Sequence, residues 1–220
     1  MHSNVKRLNF VKNKVKEILD KKQLKTSPQI IAVTKTFPLN QIMPLLEMGH
    51  IHYGENKIQE AVNKWTEIKR DFINIKLHFV GKLQTNKVKF ALPLFDYIHS
   101  LDSIKLADKI ANEQVKKKFK PKIFIQVNIG KEDQKNGIDV ENLETFYSNC
   151  TKNFDLNIIG LMCLPPNDKN PEIYFSKMKI LADKINLNEL SMGMTNDYIK
   201  AIQCKSTFLR IGSKIFGPRV

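Results

Sequence analysis

Lys35 stands at the end of the run IIAVTKTFP (30–38), where four small or branched apolar residues lead into Thr34 and then an amine. The run reads as a buried β-strand, so the lysine is either a solvated strand-end charge or a buried amine. A buried amine next to other positive charge loses basicity, and in its neutral form it condenses with carbonyl compounds. Far along the chain, LSMGMT (190–195) and RIGSKIFG (210–217) interleave glycines with the hydroxyls of Ser191, Thr195 and Ser213. Gly193 and Gly212 allow close backbone approach, and hydroxyls and main-chain N–H groups are what a phosphate needs. Two other patterns carry less. HIH (50–52) has the spacing of a metal pair but no further acidic or histidine ligand nearby, which favours a structural reading. Cys163 lacks a partner base and reads as a small core residue.

The elements that must hold these groups alternate along the chain. Residues 4–22 have helical period, with Val5, Leu8, Val11, Val15, Ile18 and Leu19 on one face. Strand-like runs follow at 29–35, 50–56, 76–82, 96–101, 122–129, 157–164, 188–194 and 207–213. Amphipathic stretches separate them at 39–48, 57–70, 85–92, 103–118, 140–152, 171–185 and 196–205. Pro38 suits the entry to the first of these helices. Strict strand–helix alternation implies parallel strands with right-handed crossovers, and eight units suit an α/β fold of the (β/α)8 TIM type, here with an extra N-terminal helix. An open doubly wound sheet is the alternative. The first strand–helix turn, TKTFPLNQ, has no glycine, so the dinucleotide fingerprint is missing, and no GxxxxGK[ST] loop occurs.

In a barrel, ligands bind at the carboxyl ends of the strands. That rule gathers Lys35, YGEN (53–56), GKLQTNK (81–87), HSLD (99–102), VNIG (127–130), MCLPP (162–166), SMGMT (191–195) and RIGSKIFG (210–217) at one mouth. The last two follow strands seven and eight, where barrels commonly build a phosphate site. An amine on strand one beside a phosphate cradle on strands seven and eight points to pyridoxal 5'-phosphate as the cofactor.

The pieces AVTKTFP, YGENKIQEAVNKW, LHFVGKLQTNK, IHSLDS, IFIQVNIGKEDQKNGI, GLMCLPP, LSMGMTNDYIKAI and TFLRIGSKIFGPR run in order over about residues 30–219. In these the chain resembles the pyridoxal phosphate homeostasis protein family. The resemblance implies a single (β/α)8 barrel over residues 1–220, like the N-terminal domain of alanine racemase, with residues 1–25 as the added helix. It implies a protein that binds pyridoxal 5'-phosphate without established catalysis and helps to buffer or carry it. Carried over residue by residue, Lys35 is the Schiff-base lysine and Arg210 faces the pyridine nitrogen. Asn56 contacts the ring side, and Ser191, Thr195, Gly212 and Ser213 bind the phosphate. Serine is more usual at Thr195 and threonine at Ser213; both keep the hydroxyl. Plainer roles compete: an N-cap for Asn56, a structural salt bridge for Arg210, a strand hydroxyl meeting only backbone for Ser191. Lys82, Lys87 and Lys135 are either solvated or draw in the cofactor's phosphate.

The formal net charge of +14 raises nucleic acid as a partner, but arginine occurs only at positions 7, 70, 210 and 219. The dispersed lysines argue against a base-reading surface. The N-terminus lacks a signal peptide's apolar core, no run spans a membrane, and Cys150, Cys163 and Cys204 are too few and scattered for a disulfide framework. A cytoplasmic monomer with pyridoxal phosphate-dependent apo-enzymes as candidate recipients is the expectation. The alternative function is an amino-acid racemase or related enzyme of low activity. Racemases add a C-terminal domain supplying a catalytic tyrosine, whereas this chain stops after strand eight, with Tyr53, Tyr97, Tyr147, Tyr174 and Tyr198 its only tyrosines.

Overall fold

A computed structural model describes residues 1–132, 134–167 and 170–218. Eight parallel strands close into a barrel: β1 (Gln29–Val33), β2 (His52–Glu55), β3 (Lys76–Phe79), β4 (Tyr97–Leu101), β5 (Lys122–Asn128), β6 (Asn157–Cys163), β7 (Glu189–Met194) and β8 (Phe208–Ile211). Each strand pairs with its neighbours in sequence, and β1 pairs with β8, which completes the ring. A two-residue strand, Ile138–Asp139, adds to the end of β5. All eight expected strands and the (β/α)8 architecture are present.

The helices are α1 (Ser3–Lys22), α2 (Leu39–Glu47), α3 (Ile58–Trp65), α4 (Ile68–Asp71), α5 (Val88–Ala91), α6 (Ile104–Lys117), α7 (Leu143–Asn153), α8 (Pro171–Lys184), α9 (Tyr198–Gln203) and α10 (Ser213–Phe216). Several boundaries differ from the sequence reading, and three of them bear on the site or on the helices around it. The helix expected over 57–70 divides into α3 and α4 at Thr66, whose hydroxyl donates back to the Val62 carbonyl at 2.7 Å and loosens the helical ladder. The first strand ends at Val33 rather than Lys35. The last ends at Ile211, and Ser213 opens a short helix instead of extending the strand.

The apolar face of α1 buries Val5, Leu8, Val11, Val15 and Ile18, as its period requires, and the helix packs on α2, α9 and α10. It thereby braces the two short helices that follow β7 and β8. Most of the core lies between the strands and the helical ring. Inside the barrel, Ile31, Val33, Tyr97, Phe124, Met162 and Phe208 form a second, smaller cluster. That interior also holds His78 and His99, both with no exposed surface, and half-buried His52.

Burial keeps these rings uncharged. His78 and His99 are pushed well below the ordinary value of 6.5 by desolvation, His52 to about 4 and His50 to about 3 for the same leading reason. In the unfolded chain they regain ordinary basicity. The contribution is therefore complete above pH 6.5 and is lost as pH falls, because the unfolded state takes up protons that the barrel refuses. Each fully buried imidazole removes about 1.4 kcal/mol per pH unit across that window. Denaturant unfolding measured at pH 7, 6 and 5 is expected to show a steep loss of stability, and His99→Phe a shallower one.

Candidate functional site

The carboxyl ends of the strands surround a cavity of about 610 Å³. Lys35, Thr195, Arg210, Gly212 and Ser213 line it together, with Val33 and Phe37 on the β1 side and Pro165 and Pro166 on the β6 side. Five of the seven residues expected at the site thus converge, although they come from opposite ends of the chain. The β1–β8 pairing brings this about: Ile31 aligns with Arg210 and Ala32 with Ile211.

Lys35 sits in a tight turn just past β1. Phe37 N–H closes the turn onto the Thr34 carbonyl at 3.1 Å, and Thr36 takes φ = 68°. A β-branched residue is strained there, and turns of this shape normally place glycine or asparagine at that position. External contacts hold the strain. Thr36 N–H donates to Glu60 Oε1 at 2.9 Å, and Lys64 Nζ donates to the Thr34 carbonyl at 3.0 Å. The same ammonium reaches Glu55 Oε1 at 2.9 Å, a carboxylate with no exposed surface that also accepts from Thr34 Oγ1 at 2.7 Å and Trp65 Nε1 at 3.0 Å. The lysine is thus borne on a clamped turn rather than on the strand itself.

Arg210 is 4% exposed. Its Nη1 donates to the Ser191 carbonyl at 2.6 Å and the Ser191 hydroxyl at 2.7 Å, and its Nη2 to the Cys163 carbonyl at 2.8 Å. A guanidinium has five N–H groups, so three are committed to the protein. These contacts replace the salt bridge considered from sequence. Cys163 is buried, and desolvation pushes its thiol up to about 12, in keeping with a core residue.

Ser191 does not reach the cavity wall. Its side chain is fully buried between Arg210 and His99, with His99 Nδ1 at 2.8 Å. It also meets more than backbone. Thr195 Oγ1 accepts from Gly212 N–H at 3.3 Å, which joins the β7 and β8 ends and leaves the hydroxyl proton to donate. The backbone N–H groups of Ser213 and Lys214 precede the first internal donor of α10, Ile215. Gly193, with φ = 90°, serves packing rather than a ligand: a Cβ there would lie 2.5 Å from the Ala201 side chain on α9.

Asn56 follows β2 at the rim and is absent from the cavity wall. It is not the N-cap of α3, which is Lys57, and its side-chain oxygen is buried without a hydrogen-bond partner. Of the rim lysines, Lys135 reaches the wall, donates to the Pro165 carbonyl at 2.9 Å and pairs with Glu132; Lys82 and Lys87 lie outside it.

Residues 8–220 match the model of the alanine racemase N-terminal domain. The chain is 36% identical over 200 residues to the pyridoxal phosphate homeostasis protein of Aquifex aeolicus, covering 87% of each. It is 34% identical over 223 residues to that of Haemophilus influenzae, covering 96% of this chain and 94% of the relative. The chain belongs to the pyridoxal phosphate homeostasis family. Among solved structures, PipY of Synechococcus elongatus with pyridoxal phosphate bound superposes with a TM-score of 0.80 at 30% identity, over 92% of this chain and all of that one. Alanine racemase of Clostridium difficile shares the fold, with a TM-score of 0.73 at 14% identity, over 97% of this chain and 57% of that one.

Two sets of residues beside the cavity were not joined up by the sequence reading. The clamp of Glu55, Glu60, Lys64 and Trp65 lies within YGENKIQEAVNKW, where helical spacing could have paired Glu60 with Lys64. The histidines of HIH, LHF and IHS sit on three successive strands, a recurrence visible in the sequence but without meaning until the strands are placed side by side.

The clamp makes a measurable claim. Lys64 and Glu55 are 10% and 0% exposed, so Lys64→Met leaves a buried carboxylate uncompensated and should cost about 3–5 kcal/mol. The double variant Glu55→Gln/Lys64→Met should recover part of that loss in chemical denaturation.

Proposed function

We propose that this chain binds pyridoxal 5'-phosphate at the barrel mouth and serves to hold and release it in the cytoplasm, not to turn over a substrate. The observation that carries this reading is one cavity wall shared by an amine on the turn after β1, a buried guanidinium on β8 and a hydroxyl-and-glycine cradle at the ends of β7 and β8. The name of the curated relatives, and the bound cofactor of PipY, support the same ligand.

When bound, the cofactor supplies an electrophilic aldehyde, a pyridine ring and a phosphate. The residues present fit each part. Lys35 is the amine that holds the aldehyde carbon covalently. Arg210 donates a remaining N–H to the ring nitrogen; being permanently protonated, it cannot accept a proton from the ring or supply one readily. Thr195 Oγ1, Ser213 and the backbone N–H groups at Ser213 and Lys214 hold the phosphate, with Gly212 keeping the approach open. Asn56, with its buried unpartnered oxygen, contacts the ring edge after a modest side-chain adjustment. Ser191 acts through Arg210.

Holding rather than catalysis is supported by the composition of the wall. None of the five tyrosines lines it. Lys135 is tied to Glu132 and the Pro165 carbonyl, and Asp197 accepts from Met194 N–H at 2.5 Å. A racemase needs proton-transfer groups on both faces of its substrate, and an arginine at the ring nitrogen leaves the ring a weak electron sink.

Purified protein mixed with pyridoxal 5'-phosphate is expected to gain a near-visible absorbance band. Borohydride should then leave a mass label on Lys35, and Lys35→Ala should show neither. A label on another lysine, or no loading of the unaltered chain, overturns the assignment. Clear turnover of any L- or D-amino acid would overturn the non-catalytic part alone.

A further inference from the structure

Below Arg210, a continuous hydrogen-bonded column crosses the barrel interior. Arg210 Nη1 lies 2.7 Å from Ser191 Oγ, which lies 2.8 Å from His99 Nδ1. His99 Nε2 lies 2.9 Å from His78 Nδ1, and His78 Nε2 lies 2.9 Å from His52 Nδ1. Ser191, His78 and His99 have 1% exposure or less. The rings are fixed in plane by Tyr97, stacked on His78 at 4.1 Å, and by Phe124, stacked on His99 at 4.4 Å.

The direction of such a column is normally ambiguous, because each imidazole can carry its proton on either nitrogen. One member here has no such freedom. Arginine only donates, so Ser191 Oγ must accept from it. The serine proton then has His99 Nδ1 as its acceptor. Were His99 to donate instead, two donors would converge on the hydroxyl and its own proton would be buried without a partner. His99 therefore carries its proton on Nε2 and gives it to His78 Nδ1. His78 repeats the pattern toward His52.

We propose that Ser191, His99, His78 and His52 form a one-way column of positioning residues, each imidazole in the Nε2–H form, that aims and stabilises Arg210. The inference rests on the proposed cofactor reading only for what Arg210 faces. Donation from serine to histidine makes the serine oxygen a better acceptor for the guanidinium, and each further donation down the column reinforces it. The column thus spreads the response to a buried positive charge over several dipoles instead of one carboxylate. Together with the Ser191 carbonyl it commits both Nη1 protons, which fixes the orientation of the guanidinium toward the cavity. The low basicity of His78 and His99, set first by burial, agrees with uncharged rings.

Long-range ¹H–¹⁵N spectra of the full chain at neutral pH test the column without any cofactor. His52, His78 and His99 are expected as uncharged Nε2–H tautomers. An Nδ1–H or doubly protonated ring at His78 or His99 overturns the inference, whatever the protein binds. In protein loaded with pyridoxal 5'-phosphate, Ser191→Ala should shift the absorbance maximum and speed cofactor release at least about tenfold, with Ser191→Thr restoring both. Unchanged spectrum and release in a folded, loaded Ser191→Ala protein sink the positioning role. Failure of the unaltered chain to load sinks the cofactor reading but leaves the tautomer result standing.

Discussion

A permanently charged guanidinium enclosed in a parallel barrel, hydrogen-bonded to no carboxylate among the described residues, is the constraint that organises this structure. Burying a charge is costly unless its donors are met, and removing a carboxylate removes the simplest way of meeting them. Three N–H groups of Arg210 are met by one carbonyl each of β6 and β7 and by the Ser191 hydroxyl. That solution demands a hydroxyl at the inward position of β7 and an acceptor behind it, which His99 provides. The positive charge beside His99 in turn helps to keep that ring unprotonated. A single buried cation thus fixes the residue types on several strands.

The opposite wall of the cavity is organised by a different device. Lys35 is carried by a strained turn held from outside. Glu55 and Lys64, buried against Trp65, grip Thr34, and Glu60 grips Thr36. The aromatic stack of Phe37 on Phe216, with centroids 4.8 Å apart, ties this turn to α10. Because β1 and β8 are neighbours, a turn gripped from α3 and a helix start braced by α1 face each other across the seam. The geometry between amine and cradle is therefore set by packing on both sides, so neither wall depends on a long unsupported loop.

The architecture was legible because every strand is short, apolar and separated by a periodic helix; all eight fall where alternation placed them. The convergence of Lys35, Thr195, Arg210, Gly212 and Ser213 on one cavity was legible for the same reason, since a barrel maps strand ends onto one mouth. The depth of Ser191 was not legible, because position on a strand tells which side a residue faces but not how deep it lies; its hydroxyl meets Arg210 and His99. The turn at Lys35 was read as strand because the sequence signal for a left-handed residue is glycine or asparagine, and Thr36 is neither. Its conformation is imposed by Glu60 and Lys64, whose reach becomes visible only in three dimensions. The division of 57–70 at Thr66 had a local cause, a hydroxyl competing for a helical carbonyl.

The histidines show how register turns a repeated residue type into a pathway. His52 aligns with Lys76, and the inward-facing His78 lies two residues beyond it; His78 aligns with Tyr97, and His99 lies two residues beyond that. Each step to the next strand therefore raises the imidazole by one pleat, because strands in a closed barrel are tilted and staggered. Two such steps lead from the half-buried His52 to His99, which meets Ser191 across the barrel. A histidine shifted by one residue on any of these strands would face the helices, and one shifted by two would miss its neighbour. The column is thus a product of barrel stagger acting on alternate positions of β2, β3 and β4. The apolar remainder of the interior, Phe124, Phe208, Tyr97 and Met162, fills the space that the staircase leaves.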